Sequence, residues 1–199
     1  MPALDFWYEF GSSYSYPAAM RIDERAAQAG VKVTWRPFLM GPVLRAQGVT
    51  DSPFNLCPIN KRHYMVRDME RICAALGLPF AMPDPFPQNG LYAARLALLG
   101  ADQGWIADFS RAVYLAEFGD GADISDSATL SGILSGLGLD AEACAALIQE
   151  QKLKDRLKTQ TAQALKLGIF GAPNFVVGDE LFWGNDRLDQ ALDWAKQAA

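Results

Sequence analysis

The stretch Phe6-Trp7-Tyr8-Glu9-Phe10-Gly11-Ser12-Ser13-Tyr14-Ser15-Tyr16 constrains the fold more than any other. An aromatic, apolar run passes here through a glycine and a cluster of hydroxyls into an Ala-rich segment. Residues 4–10 read as a buried strand, being apolar, aromatic and bounded by turn residues. From Tyr14 to Ala29 the composition favours helix, and Gly30 suits the left-handed position that ends one. The junction is therefore a strand entering a helix N-terminus, where backbone N–H groups lack partners and the helix dipole is positive. Such a place holds anions, and a hydroxyl fixed at Ser12 suits a thiolate. The same residues also suit a plain helix cap, with Ser12 or Ser13 accepting from the first turn. Both readings stay open on these residues alone. Pro17 adds a condition: a helix starting at Ser12 would kink there, so it either kinks or begins later.

Residues 31–39, with Val31, Val33, Trp35 and Arg36, read as a second strand and complete a β-α-β unit, which implies a parallel pair. After Pro42 the pattern is helical as far as about Lys166. In residues 60–76, Met65, Met69, Ile72 and Leu76 fall on one stripe with Cys73 beside it, a core-facing pattern closed by Gly77. The four-proline segment 78–87 must be an extended loop. Helices follow over about 89–101, 103–118, 126–136, 140–149 and 150–167, with Asp126 and Asp140 as caps. Strand character returns at residues 170–177. Gly178-Asp179 makes a tight turn into Glu180-Leu181-Phe182-Trp183, an antiparallel hairpin. Gly184-Asn185-Asp186-Arg187 then opens a closing helix whose apolar face is Leu188, Ala191, Leu192 and Ala195. The order β-α-β, helical block, β-β-α is an α/β layer architecture whose sheet is split in sequence and continuous in space.

A chain of 199 residues is long enough to bury about 70% of its unfolded surface in one core. The net charge of −5, with 18 basic residues scattered among 23 acidic ones, argues against a nucleic-acid partner. No segment approaches the ~20 apolar residues that span a bilayer, and the start lacks a signal-like apolar run, so no membrane partner and a cytoplasmic location are expected. Cys57, Cys73 and Cys144 are too far apart for a C-x-x-C pair and odd in number, so they read as reduced thiols. His63 is the single histidine, which rules out a Cys/His metal cluster. It sits beside Lys61 and Arg62 in a charged run typical of a solvated helix face, so a serine-hydrolase triad is not expected either.

Taken together, Ser12-Ser13-Tyr14-Ser15-Tyr16, Pro37-Phe38-Leu39-Met40-Gly41-Pro42, Ser52-Pro53-Phe54-Asn55, Asn60-Lys61 with Tyr64 and Asp68, Phe170-Gly171-Ala172-Pro173 and Phe182-Trp183-Gly184-Asn185-Asp186-Arg187 resemble the 2-hydroxychromene-2-carboxylate isomerase family. That family is related to kappa-class glutathione transferases and DsbA-like proteins. The resemblance covers nearly the whole chain. It implies an α/β thioredoxin-like fold, residues 1–41 and 168–199, with a helical insertion over 42–167, and a homodimer. Ser12 and Ser15 fall at the two positions that hold cysteines in redox-active relatives, so no dithiol chemistry is available. Glutathione would supply the sulfur instead.

By the same resemblance, Ser12 stabilises the thiolate. Ala172, preceding a cis Pro173, pairs with the cysteinyl backbone, and Trp183, Gly184, Asn185 and Asp186 hold the γ-glutamyl end. Asn185 or Asp186 also suits the cap of the last helix. Asn55 stands at the boundary of glutathione and substrate, Lys61 near the mouth, and Phe86 against a small aromatic carboxylate substrate. Asp68 is given a structural role. One departure is Ser13, where the family often has proline. The implied reaction is thiolate addition, ring opening, bond rotation and elimination, giving trans-o-hydroxybenzylidene pyruvate. The alternatives are a kappa-like glutathione transferase or peroxidase, and a non-catalytic thioredoxin-fold binding protein.

Overall fold

The computed structural model describes residues 1–198. Strand β1 (Ala3–Tyr8) leads into α1 (Ser15–Ala29) and β2 (Lys32–Pro37). Both strands stop earlier than the apolar pattern suggested. Met40 already opens α2 (Met40–Ala46), the first of a helical run: α3 (Pro53–Leu56), α4 (Ile59–Leu76), α5 (Leu91–Gln103), α6 (Ile106–Tyr114), α7 (Ser127–Gly136), α8 (Ala141–Leu147) and α9 (Gln151–Lys166). A π-helical turn, Leu115–Gly119, continues α6. The chain closes with β3 (Asn174–Val177), β4 (Glu180–Trp183), a 3₁₀ turn (Asn185–Arg187) and α10 (Leu188–Gln197). Strand β3 starts at Asn174 rather than at Phe170, because residues 171–173 form a bend before the strand.

The sheet order is β2-β1-β3-β4. β1 pairs parallel with β2, Phe6 opposite Trp35, and antiparallel with β3, Phe6 opposite Phe175. β3 and β4 form the expected hairpin through Gly178-Asp179. Thus strands about 170 positions apart in sequence lie side by side, as the split-sheet reading required.

Alternation along β1 decides which layer covers which face. Leu4, Phe6 and Tyr8 point into the main core, with α1, α10 and much of the helical block packed over them. Trp7 points the other way, into a smaller cluster with Phe38, Val43, Ala164, Ile169 and Val176. Phe6 anchors the main core, stacked 5.1 Å from Tyr8 and 5.5 Å from Phe175, with the Trp35 edge at 5.0 Å. Burying one such aromatic is worth roughly 1.5–3 kcal/mol, with about 0.5–1.5 more for each well-placed ring pair. Leu188, Ala191, Leu192 and Ala195 are all buried, as their spacing required. The Asp126 and Asp140 side chains accept from Ala128 and Ala143 N–H and start α7 and α8. On α4, Met69 and Cys73 are buried, whereas Leu76 lies largely exposed at the helix end.

Candidate active site

A cavity of about 1300 Å³ opens over the turn between β1 and α1. Its other walls are α2 to α4, the proline loop before α5, and the bends before β3 and after β4. The turn forms because backbone bonds close on themselves: Ser12 N–H donates to Glu9 O at 3.1 Å, Ser15 N–H to Ser12 O at 3.0 Å and Tyr16 N–H to Ser13 O at 3.2 Å. These bonds delay the helix. α1 begins at Ser15 with Tyr14 at the cap position and no side-chain cap, so neither Ser12 nor Ser13 serves as one. Pro17 is then the third helical residue, inside the first turn, where its missing N–H costs no bond.

The hydroxyl freed from capping faces the cavity and donates to the carbonyl of Ala172 at 3.1 Å, across 160 residues of sequence. The N–H groups of Ser13 and Tyr14 meet no acceptor among the described residues. Ser12 thus sits where two free N–H groups and the positive end of a 15-residue helix converge, an arrangement that favours an anion.

Opposite Ser12, the Ala172–Pro173 peptide is cis. Ala172 lines the cavity, while Pro173 is buried behind it. Trp183, Gly184, Asn185 and Asp186 all border the same cavity. Gly184 has φ +115°, and a Cβ there would lie 2.6 Å from the Asp186 carboxylate, so this bend tolerates only glycine. At Gly171 a Cβ would lie 2.6 Å from the Trp183 indole nitrogen, so a second glycine makes room for that ring against the backbone. Asn185 does not cap α10, and neither does Asp186: a 3₁₀ turn intervenes and Arg187 takes the cap position without a side-chain bond. Asn185 is instead pinned by Arg21 of α1, whose guanidinium donates to its backbone O at 2.6 Å and its Oδ1 at 2.9 Å. Arg21 went unremarked in the sequence, since a single Arg on a helix reads as surface.

The far wall is aromatic. Phe86 lies on it with Phe54, edge to face at 4.8 Å. Lys61 and Arg45 are cations on the rim. The Tyr14 hydroxyl donates to Asp68 at 3.0 Å inside the cavity, so Asp68 positions a wall residue as well as pairing with Arg71. Burial and the Asp68 charge push the Tyr14 phenol up. Asn55 is the exception: it is exposed and is not among the lining residues. Its amide donates to Asp51 at 3.1 Å, because α3 is a single turn capped by Ser52 that aims Phe54, not Asn55, at the cavity.

Glu9 completes the floor beside Ser12. Protein packed around its carboxyl pushes it up to about 7, against a smaller opposing pull from the Gly11 N–H. Sequence reading missed it, because one acid between aromatics in a strand signals nothing about which residues cover it.

Residues 3–194 match the DSBA-like thioredoxin domain family. The chain is 32% identical over 186 residues to 2-hydroxychromene-2-carboxylate isomerase from Sphingobium xenophagum, covering 94% of each chain. This chain belongs to the 2-hydroxychromene-2-carboxylate isomerase family. A solved structure of a 2-hydroxychromene-2-carboxylate isomerase superposes with a TM-score of 0.85 over 98% of this chain and 95% of that one, at 24% identity, which establishes the shared thioredoxin-like fold. A more distant relative, glutathione S-transferase kappa 2 of Caenorhabditis elegans, is 24% identical over 96% of this chain and 90% of its own length.

Proposed function

We propose that this member of the isomerase family is a glutathione-dependent isomerase of 2-hydroxychromene-2-carboxylate. One observation carries the reading: a serine hydroxyl stands at a helix N-terminus inside a large, partly aromatic cavity. The residues fit the tripeptide. A hydroxyl rotates about its C–O bond, so Ser12 can turn its proton from the Ala172 carbonyl to a sulfur. The Ala172 backbone suits an extended peptide, and the bend at Trp183, Gly184, Asn185 and Asp186, braced by Arg21, suits the γ-glutamyl end. When bound, glutathione supplies a thiolate nucleophile that adds to the conjugated double bond and later leaves it, so that the bond can rotate.

The energetics of the site match that need. A thiol of pKa about 8.5 is only about 3% ionised at pH 7, and bringing it to about 6.5 requires roughly 3 kcal/mol. A charge-assisted hydrogen bond from Ser12 supplies about 1.5–3 kcal/mol and the helix terminus about 0.3–1. Phe54 and Phe86 offer faces for an aromatic ring, and Lys61 and Arg45 are the rim cations suited to its carboxylate. Asn55 has no part in this arrangement.

The test is to follow 2-hydroxychromene-2-carboxylate by absorbance with and without reduced glutathione. Conversion that requires glutathione and leaves its concentration unchanged is expected. Consumption of glutathione would instead support the kappa-like transferase reading, which the kappa relative favours as second choice. No conversion in either case would refute the isomerase reading.

A further inference from the structure

Two carboxyl groups, Glu9 and Glu117, are left unused by the chemistry above. The Glu9 carboxyl is seated between two glycines: a Cβ on Gly11 would lie 3.3 Å from its Oε2, and one on Gly90 3.6 Å from its Oε1. Both glycines line the cavity, so the carboxyl reaches the floor next to Ser12. Behind it lies Glu117, on the π-helical turn, fully buried and with neither oxygen hydrogen-bonded. An ionised carboxylate is not stable in such a place, so Glu117 keeps its proton. The charged and titratable groups around the pair are Tyr8 from β1, bonded to Ser110, Tyr114 from α6, whose hydroxyl donates to the Glu9 carbonyl at 2.9 Å, and Asp123 beyond the π turn. None is a cation. Glu9 therefore has neutral or acidic neighbours on its protein side and the open cavity on the other.

We propose that Glu9 is a catalytic residue that carries a proton between two oxygens of the substrate during ring opening, a proposal that rests on the isomerase reading above. In 2-hydroxychromene-2-carboxylate a hydroxyl and the ring oxygen share one carbon. The Glu9 carboxylate takes the hydroxyl proton, and the freed pair forms the C=O bond. The ring C–O bond breaks with its electrons on the aryl oxygen, and Glu9 returns the proton to that oxygen. Nothing is oxidised, and no proton is gained or lost. One carboxyl group can serve both atoms because its two oxygens are spaced much as the two on the substrate carbon are. Such a shuttle works best when giving and accepting cost about the same near neutral pH. The burial that raises the Glu9 carboxyl to about 7 meets that condition, whereas an exposed glutamate would be a poor donor.

Two measurements on the full-length protein test this. In the presence of glutathione, Glu9→Gln is expected to lower kcat by roughly 100-fold or more, with glutathione affinity by calorimetry within threefold of wild type. Glu9→Asp, which keeps a carboxyl, should recover at least tenfold over Glu9→Gln. Independently of activity, ¹³C-glutamate NMR of the wild type should show a carboxyl titrating near 7. Glu9→Gln retaining kcat within threefold overturns the proposal, as does a Glu9 signal titrating at 4–5 in the wild type, a result that does not depend on any variant folding. If the wild type itself fails to isomerise with glutathione present, the isomerase reading falls and takes this proposal with it, and the failure is then visible in the parent protein rather than in the variant.

Discussion

At the scale of single residues, Ser12 owes its direction to the turn that holds it. Its Oγ has no local bond to satisfy, because the turn bonds at Glu9, Ser12 and Ser13 are made by backbone alone. The hydroxyl therefore reaches across to the Ala172 carbonyl, where in the proposed reading it would turn to the glutathione sulfur. Removing the hydroxyl removes one charge-assisted donor, worth about 1.5–3 kcal/mol. Ser12→Ala should thus raise the pKa of the bound glutathione thiol by about 1–2 units, read by ultraviolet titration of the thiolate band. An unchanged thiol pKa would assign the stabilisation to the helix terminus alone. This residue was legible in the sequence because its flanks, an apolar strand and an Ala-rich helix, are local signals. Asn55 was not, since the direction of a side chain on a one-turn helix depends on its own bond to Asp51.

At the scale of elements, the π-helical turn Leu115–Gly119 has the largest consequence. It carries Glu117 into the interior, while Phe118 beside it stacks on Tyr16 at 5.9 Å. Burial raises the Glu117 carboxyl well above its ordinary 4.5, and the Glu9 charge raises it further. The sign of the pH effect follows. A carboxyl whose folded pKa is raised binds a proton that the unfolded chain has released, so stability falls as pH climbs from about 4.5, by up to about 1.4 kcal/mol per pH unit for each such group. Glu9 contributes its own loss between about 4.5 and about 7. Glu117→Gln removes the Glu117 share, so between pH 5 and 8 its melting temperature should fall less steeply than that of wild type and be the higher at pH 8. Parallel melting curves would contradict the assignment of a buried, protonated Glu117. The sequence showed a helix over 103–118 but not its π ending, because π turns are rare and carry no residue signature of their own.

At the scale of the molecule, the parallel β-α-β pair, the hairpin at Gly178-Asp179 and the face of α10 were legible, since each follows from a short-range pattern of apolar and turn residues, whereas the order β2-β1-β3-β4 was not. The cavity was only partly so. Its Trp183, Gly184, Asn185 and Asp186 edge stands out as a motif, whereas Arg21 on Asn185, Tyr14 on Asp68 and Glu117 behind Glu9 join residues 54 to 164 positions apart, and no local pattern records such contacts. In the proposed function the chain has exchanged its own sulfur for a site that takes one from a tripeptide. Isothermal titration with reduced glutathione measures that most directly. Saturable, one-to-one binding below millimolar concentration is predicted, and a flat titration through the millimolar range would contradict it.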